Sequence, residues 1–441
     1  MSNTLRLAAA VGAVAAVALL AVTQMGTAQT TMPDQTVPGA GNAQATELAK
    51  TSPFIVSAVT RLRDELTLVG NPTLRAVTMD AVFNPNTCVV HRANLTAAQK
   101  QAIIATLQAQ GLFSTTDAAA FPGGAETGVF PPVLDDGTAC PHLPQPFFSA
   151  PGSTNNGHQA YPGGLPVHEG FNLVSALSFT KNYLQAYGTP GADGLPHMVP
   201  LPQVGQSLPT DLVISQDYMI AAPIWHDWAK SIVFQWNADG SEFQEFDFGG
   251  AGATDDYGAA GDSRTGGHHL ISLAESMARG LPATFIITQA CAHSAPTLGN
   301  EYKVVNWLRA GAIIAQVDPV AKGYLYVDST GKLRLPPVRA TGAVDLNAAG
   351  QTNILVEYEI HNLSDADFVF TIPAITEDQV ILAQLAPRYG YSPSNVAVYN
   401  THYRNPVFSY LSAERILIMY TNNGLPAVQA ELDKLRNRGV I

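Results

Sequence analysis

Apolar positions in this chain fall into helical stripes separated by long stretches rich in glycine, proline and aspartate. The clearest helix begins at Thr96, where Thr96 and Gln99 form a capping box, Ile103, Ile104 and Leu107 make a buried stripe, and Gly111 marks the stop. Residues 45–67 predict a helix interrupted at Pro53, with Leu48, Phe54, Ile55, Val59 and Leu62 as its apolar set, and Leu74–Phe83 predicts a short strand. From Val167 to Tyr187 the spacing is helical again, and Gln216–Trp236 is too rich in Trp, Ile and Met for a surface helix, so a central one is expected. Three more helices follow. One runs from His268 to Arg279, one from Pro282 to near His293, and one from Glu301 to Val317, where Asp318-Pro319 ends it. After residue 320 the pattern changes: Gly323–Val327 and Leu333–Pro336 predict strands around a Ser-Thr-Gly turn, and Ile354–Ile360 and Phe368–Ile372 alternate as strands do. Helices return at Glu377–Leu385 and Leu425–Arg438. Residues 113–165, 188–210 and 237–267 carry no periodicity. The last of these, with Asp255, Asp256, Asp262 and Arg264, reads equally as a lid and as an ordinary surface excursion.

Composition narrows the function classes. Lys and Arg total 23 against 35 Asp and Glu, a formal charge of -12, and no basic run exists to neutralise phosphates. Nucleic acid and anionic membrane are therefore excluded as expected partners, while a small anion in a local pocket is not. Residues 1–28 read as a cleaved secretory signal, with Arg6 in the n-region, an apolar h-region and small residues around Gly26-Thr27-Ala28, and residues 29–43 read as a linker. A periplasmic or secreted protein is expected, without stable membrane insertion after cleavage; its oligomeric state is left open. An oxidising compartment permits one disulfide. Cys88 and Cys140, both in loop-like sequence, are the expected pair, and Cys291 in an apolar helix reads as an inert buried residue.

Candidate chemistry lies in the histidines. Seven of the 11 fall between His158 and His293. On otherwise apolar helices, buried imidazoles need something to satisfy them, and His with Asp from several helices can converge on a metal ion. His168, the adjacent pair His226-Asp227, His268 or His269, His293 and Asp318 are the candidates; His91, His142, His197, His361 and His402 read as structural or exposed. Arg388 and Arg404 offer positive charge that nothing in the sequence requires.

The stretches HQAYPGGLPVHEGF, APIWHDWAK, GHHLISLAE, GLPATFIITQACAHSA and VVNWLRAGAIIAQVDPV, in that order, resemble the HD-domain metal-dependent phosphohydrolase superfamily. The resemblance implies a mainly α fold: an HD-like helical metal-binding domain over residues 158–320, an accessory region at 44–157 and an α+β accessory region at 321–441. It implies one or two divalent transition metals (Fe, Mn or Zn, with Mg as a further option). His168, His226 and Asp318 would hold the first, His269 and His293 the second, and Asp227 would bridge them; His268 is the rival to His269. Asp227, Lys230 and His158 are the implied catalytic group, with Lys230 reaching a substrate phosphate and His158 donating to substrate or orienting a ligand. Trp228 departs from the family's small residue after the His-Asp pair. The expected activity is hydrolysis of a phosphate ester in a small anionic substrate. Two alternatives stand beside it: a diiron oxygenase of the same type acting on a small molecule, and an exported metal-containing binding protein without turnover.

Overall fold

Helix starts are set by local caps. In the computed structural model, residues 39–135, 137–154, 157–188, 213–249, 263–337 and 342–441 are described. The signal sequence, residues 29–38 of the linker, residues 189–212 with His197, and residues 250–262 lie outside them. Pro53 does not bend one helix but opens a second: α1 (Asn42–Thr51) ends, the Ser52 hydroxyl accepts from Ile55 N, and α2 (Pro53–Leu66) follows. Asn71 and Pro72 repeat the device at α3 (Pro72–Phe83), which replaces the expected strand at Leu74–Phe83. Buried Leu74, Thr78, Ala81 and Val82 fall at helical spacing there, and the cap overrides the β-like composition. The capping box at Thr96 opens α4 (Ala97–Ala109) as expected.

Two short helices, α5 (Thr115–Ala120) and α6 (Gly124–Val129), precede the central group. That group is α7 (Gly164–Ala186), α8 (Gln216–Trp225), the single turn α9 (Lys230–Val233), α10 (Gly267–Ala278), α11 (Ala283–Ala290) and α12 (Glu301–Ile314). Among the described residues, strand is confined to two small antiparallel ladders: β1 (Asp247–Phe248) with β2 (Thr265–Gly266), and β3 (Tyr326–Val327) with β4 (Leu333–Arg334). The fold is mainly α-helical.

The two further strands expected in the C-terminal region are helices. Ile354–Ile360 lies mostly in α13 (Val356–Ser364), and Phe368–Ile372 opens α14 (Phe368–Leu385). The alternation in VEYEIHN misleads because Glu357 is buried: its carboxylate accepts from Ser215 N at 2.8 Å. Counting Glu357 with Tyr358, Ile360, His361 and Ser364 restores helical spacing. The chain ends in α15 (Val396–Tyr399), α16 (Asn405–Leu411), α17 (Ala413–Asn423) and α18 (Leu425–Asn437).

From Pro38 to Ile441 these elements make one compact unit. Its main apolar core joins α2–α4 to α8 and α10–α12, with Trp225, Trp228 and Phe285 fully enclosed. A second cluster gathers Tyr161 with the C-terminal helices around Tyr403 and Phe408. Between them Ala176, Met219 and Ile360 pack α13 onto α7 and α8. This seam brings the chain after residue 356 into the heart of the His-bearing helices.

Candidate metal centre

Each histidine of the centre arrives by a distinct local device. Gly163 has φ +82°, a left-handed turn that suits glycine, and a Cβ there would strike the Ile55 side chain. The tight turn starts α7 against α2 and the Phe147–Ser149 turn, and His168 comes one turn later, 1% exposed. Its Nδ1 lies 3.0 Å from Asp367 Oδ1, which turns Nε2 toward the interior.

Adjacent residues on a regular helix cannot both aim at one point, yet His226 and Asp227 do. The helix breaks between them and α9. Asp227 through Ala229 form turns, with Trp228 N bonded to Trp225 O and Lys230 N to Asp227 O. Pro223 lies inside α8, and its carbonyl lies 3.1 Å from His226 Nδ1. Trp228, the departure from the expected small residue, points away from the site: its indole donates to Ala81 O at 2.9 Å and anchors the break to α3. Ser272 Oγ accepts from Ala229 N at 2.9 Å and ties the same turn to α10.

Glu245, just before β1, accepts from His268 N and lies 2.6 Å from His268 Nδ1. That contact fixes the first turn of α10. His293 follows α11, its Nδ1 3.0 Å from Thr265 Oγ1 on β2. Asp365 follows the end of α13, and Asn362 Nδ2 donates to Ala292 O at 2.8 Å, pinning this end beside His293.

The common pattern is that each of the four imidazoles has Nδ1 held by an oxygen and presents Nε2 inward. Oriented imidazoles of this kind are what metal ligation requires. Nε2 of His168 lies 3.1 Å from Asp227 Oδ2 and 3.3 Å from Asp365 Oδ1; Nε2 of His226 lies 3.3 and 3.5 Å from the same two atoms. Donors about 2.1 Å from one transition-metal ion at tetrahedral or octahedral angles stand roughly 3.0–3.4 Å apart. Three of the four separations fall in that range, and the fourth, His226 Nε2 to Asp365 Oδ1 at 3.5 Å, lies just beyond it. On the other side of Asp227, Oδ1 lies 3.1 Å from His268 Nε2 and 3.9 Å from His293 Nε2, and Asp365 Oδ2 is 3.7 Å from His293 Nε2. His226 Nε2, His268 Nε2 and Asp227 Oδ1 are buried without a hydrogen-bond partner. They face one another as donors around a cation do.

Charge makes the same demand. Asp227, Asp365, Asp367, Glu169 and Glu245 surround the imidazoles, with Lys230 bonded to Asp227. Burial alone pushes the His168 and His226 imidazoles down, but the carboxylates, led by Asp367 for His168 and Asp227 for His226, raise both well above the ordinary value. Burial alone would raise the Asp227 carboxyl, but His226, Lys230 and His268 hold it well below the carboxylate range. A buried site this acidic recruits positive charge. Together the four histidines and two aspartates form a helical His/Asp cluster able to chelate a divalent metal ion.

The expected candidates sort as follows. His168, His226, Asp227 and His293 converge. At the ambiguous pair, His268 faces Asp227, whereas His269 stacks on His293 with ring centres 4.2 Å apart and packs on Trp307. Burial drives the His269 pKa well down, so it stays neutral. Asp318 is the clear correction: it is exposed, and its carboxylate caps its own turn by accepting from Val320 N and Ala321 N. The position expected of it is filled by Asp365, 47 residues later in the chain. Lys230 is neither solvent-facing nor free: 2% exposed, its ammonium is bonded to Asp227 Oδ2 and the Gly152 carbonyl. His158 packs with its ring centre 4.4 Å from that of His168, tilted against it, and faces the cavity; burial first, then Lys230 and His168, hold its pKa at about 3. His361, expected to be structural or exposed, is buried 5.2 Å from the His226 ring with Nδ1 2.6 Å from Thr288 O. Asp365, Asp367, Glu169 and Glu245 were absent from the expected set. The run Asp365-Ala366-Asp367 after a helical stripe is the signal that could have found the first two.

The cluster floors a half-open cavity of about 440 Å³, lined also by Ser153, Ala292, Asn362, Leu363, Ala366 and Phe368. That volume suits a small-molecule ligand. Cys88 and Cys140 are disulfide-bonded, with Cα atoms 5.4 Å apart, and Cys291 is buried and free. Compared with protein-family models, with curated proteins and with solved structures, the chain matches none of them.

Proposed function

We propose that this protein is an exported metal-dependent enzyme of the HD type that hydrolyses a phosphate ester of a small molecule at a dinuclear site. The observation that carries the proposal is Asp227: its two buried oxygens face imidazoles on opposite sides, His168 and His226 through Oδ2 and His268 through Oδ1. His168, His226, Asp365 and Asp227 would hold one ion, and Asp227, His268 and His293 the other. When bound, such ions polarise a phosphoryl oxygen and lower the pKa of a water to near neutrality. The chain's own groups do the rest. Lys230 holds the Asp227 carboxylate in place, Asp367 and Glu245 fix the His168 and His268 tautomers, and His158 faces the cavity as an uncharged donor or acceptor for substrate. The disulfide Cys88–Cys140 supports an oxidising compartment, in line with the apparent export signal. Anaerobic release of phosphate from p-nitrophenyl phosphate by manganese-loaded protein, abolished in Asp227→Asn, tests the proposal; no release with Mn, Zn or Fe would overturn it.

A second reading, a diiron oxygenase, is favoured by one observation. Lys230 is the single Lys or Arg among the described residues lining the cavity, and its ammonium is already engaged by Asp227 and Gly152. A phosphate would therefore meet no second Lys or Arg among the described residues there. Substrate-dependent oxygen uptake by iron-loaded protein, absent with manganese, would select this reading over hydrolysis.

A further inference from the structure

The cavity has two faces of opposite chemistry, and a single turn of chain builds part of both. In the segment LSDADF, Asp365 is 9% exposed and turns into the His cluster, whereas Leu363 and Phe368 line the same cavity at 45% and 43% exposure. Ala366 between them and Ala292 opposite complete an apolar wall. Asn362, bonded to the Ala292 carbonyl, fixes the two sides of that wall to each other. Val369 and Phe370, 68% and 46% exposed, follow Phe368 in the chain.

Scattered exposed apolar side chains are ordinary in a folded protein; Leu363 and Phe368, both half-exposed, instead line one polar, charged cavity together. Here they sit beside a cluster whose one ammonium is already bonded. The cavity therefore offers donors for one oxygen-rich group at its floor and hydrocarbon contact above it, without a free Lys or Arg among its described residues for a second anionic group.

We infer that the site takes an amphiphilic substrate: one chelating head group, phosphate or another oxygen-rich anion, placed at the metals, and an apolar alkyl or aryl body lying on Leu363, Ala366 and Phe368. This specifies the substrate class for the metal site proposed above and rests on that proposal. Nucleotides and sugar phosphates, polar on both sides of the ester, are disfavoured by it.

The test uses non-hydrolysable probes that share a head and differ in tail. Methylphosphonate and octylphosphonate are titrated calorimetrically into full-length mature protein loaded with manganese, into metal-free protein, and into loaded Leu363→Asp and Phe368→Asp. Burial of two or three methylene groups on the wall predicts octylphosphonate binding about 10–50-fold tighter than methylphosphonate. Each Asp variant should bring octylphosphonate down toward the methylphosphonate value, and metal-free protein should bind neither. Equal affinity of the two probes for loaded protein would overturn the amphiphile inference and leave the metal site standing. Octylphosphonate binding that survives metal removal or both Asp variants would also overturn it, because the tail would then lie elsewhere. Failure of the protein to retain metal, or of either probe to bind the loaded form, would overturn the metal site itself and this inference with it.

Discussion

Asp367 provides the sharpest test of how the centre is built, because it touches the cluster only through His168. Its Oδ1 and Oδ2 lie 3.0 and 3.2 Å from His168 Nδ1, and Oδ2 also accepts from Gln159 Nε2 at 2.8 Å. In Asp367→Ala the Gln159 amide keeps Thr371 Oγ1 and Glu414 Oε1 as acceptors, so the damage centres on His168. The imidazole loses the contact that fixes its tautomer and ring orientation, which costs 10–100-fold in metal affinity, or about 1.4–2.7 kcal/mol. Glu245→Ala makes the matching cut behind His268, whose Nδ1 it contacts at 2.6 Å. Stepwise competition with a chelator should show Asp367→Ala weakening one ion by that factor and Glu245→Ala weakening the other, with melting curves confirming that both variants fold. Wild-type affinity in both variants, or loss of the same ion in each, would refute the assignment of the two imidazoles to different ions.

Two further predictions follow from geometry away from Asp367. His268→Ala should lose one ion per chain, while His269→Ala and Asp318→Ala should keep both; chelator competition on the three variants checks this, since His269 only stacks on His293 and Asp318 only caps its turn. Asp378 is buried with both oxygens unpartnered, and burial, with Glu414 and Glu377 adding to it, raises its pKa from 3.8 to about 8. The folded state thus holds the proton more tightly than the unfolded state, so this group's favourable contribution is complete below about pH 4 and is lost as pH rises through 8. Asp378→Asn should therefore gain stability over wild type across that window, on the order of 3–5 kcal/mol at its upper end, as read by denaturant unfolding at several pH values. A difference that does not grow with pH would contradict the burial of the charge.

Much of the centre was legible because a histidine in an apolar helical stripe is conspicuous: His168, His226, Asp227 and His293 could each be placed from local pattern. The missing aspartate was not, for a physical reason. Buried Glu357 breaks the polar–apolar rule that separates helix from strand, so α13 reads as a strand and the Asp365 that follows it reads as loop. Asp318 was expected from the resemblance of the helical stretch that ends at Asp318-Pro319, but an Asp just before such a turn has its own capping work to do. The choice between His268 and His269 depends on the phase of the first turn of α10, and that phase is set by Glu245, distant in sequence and set in irregular chain. Glu169 and Glu245 show the general difficulty: acidic residues that orient ligands carry no periodic signature, because their role is defined by the histidine they meet in space.

Asp227 would join two metal ions within one His/Asp cluster. Elemental analysis of untagged protein, purified without chelators and reconstituted with Fe, Mn or Zn, tests it directly. About two ions per chain are predicted for wild type, and loss of both sites' tight binding for Asp227→Ala. Protein that holds essentially no transition metal after reconstitution, or an Asp227→Ala variant that still holds both ions, would contradict it.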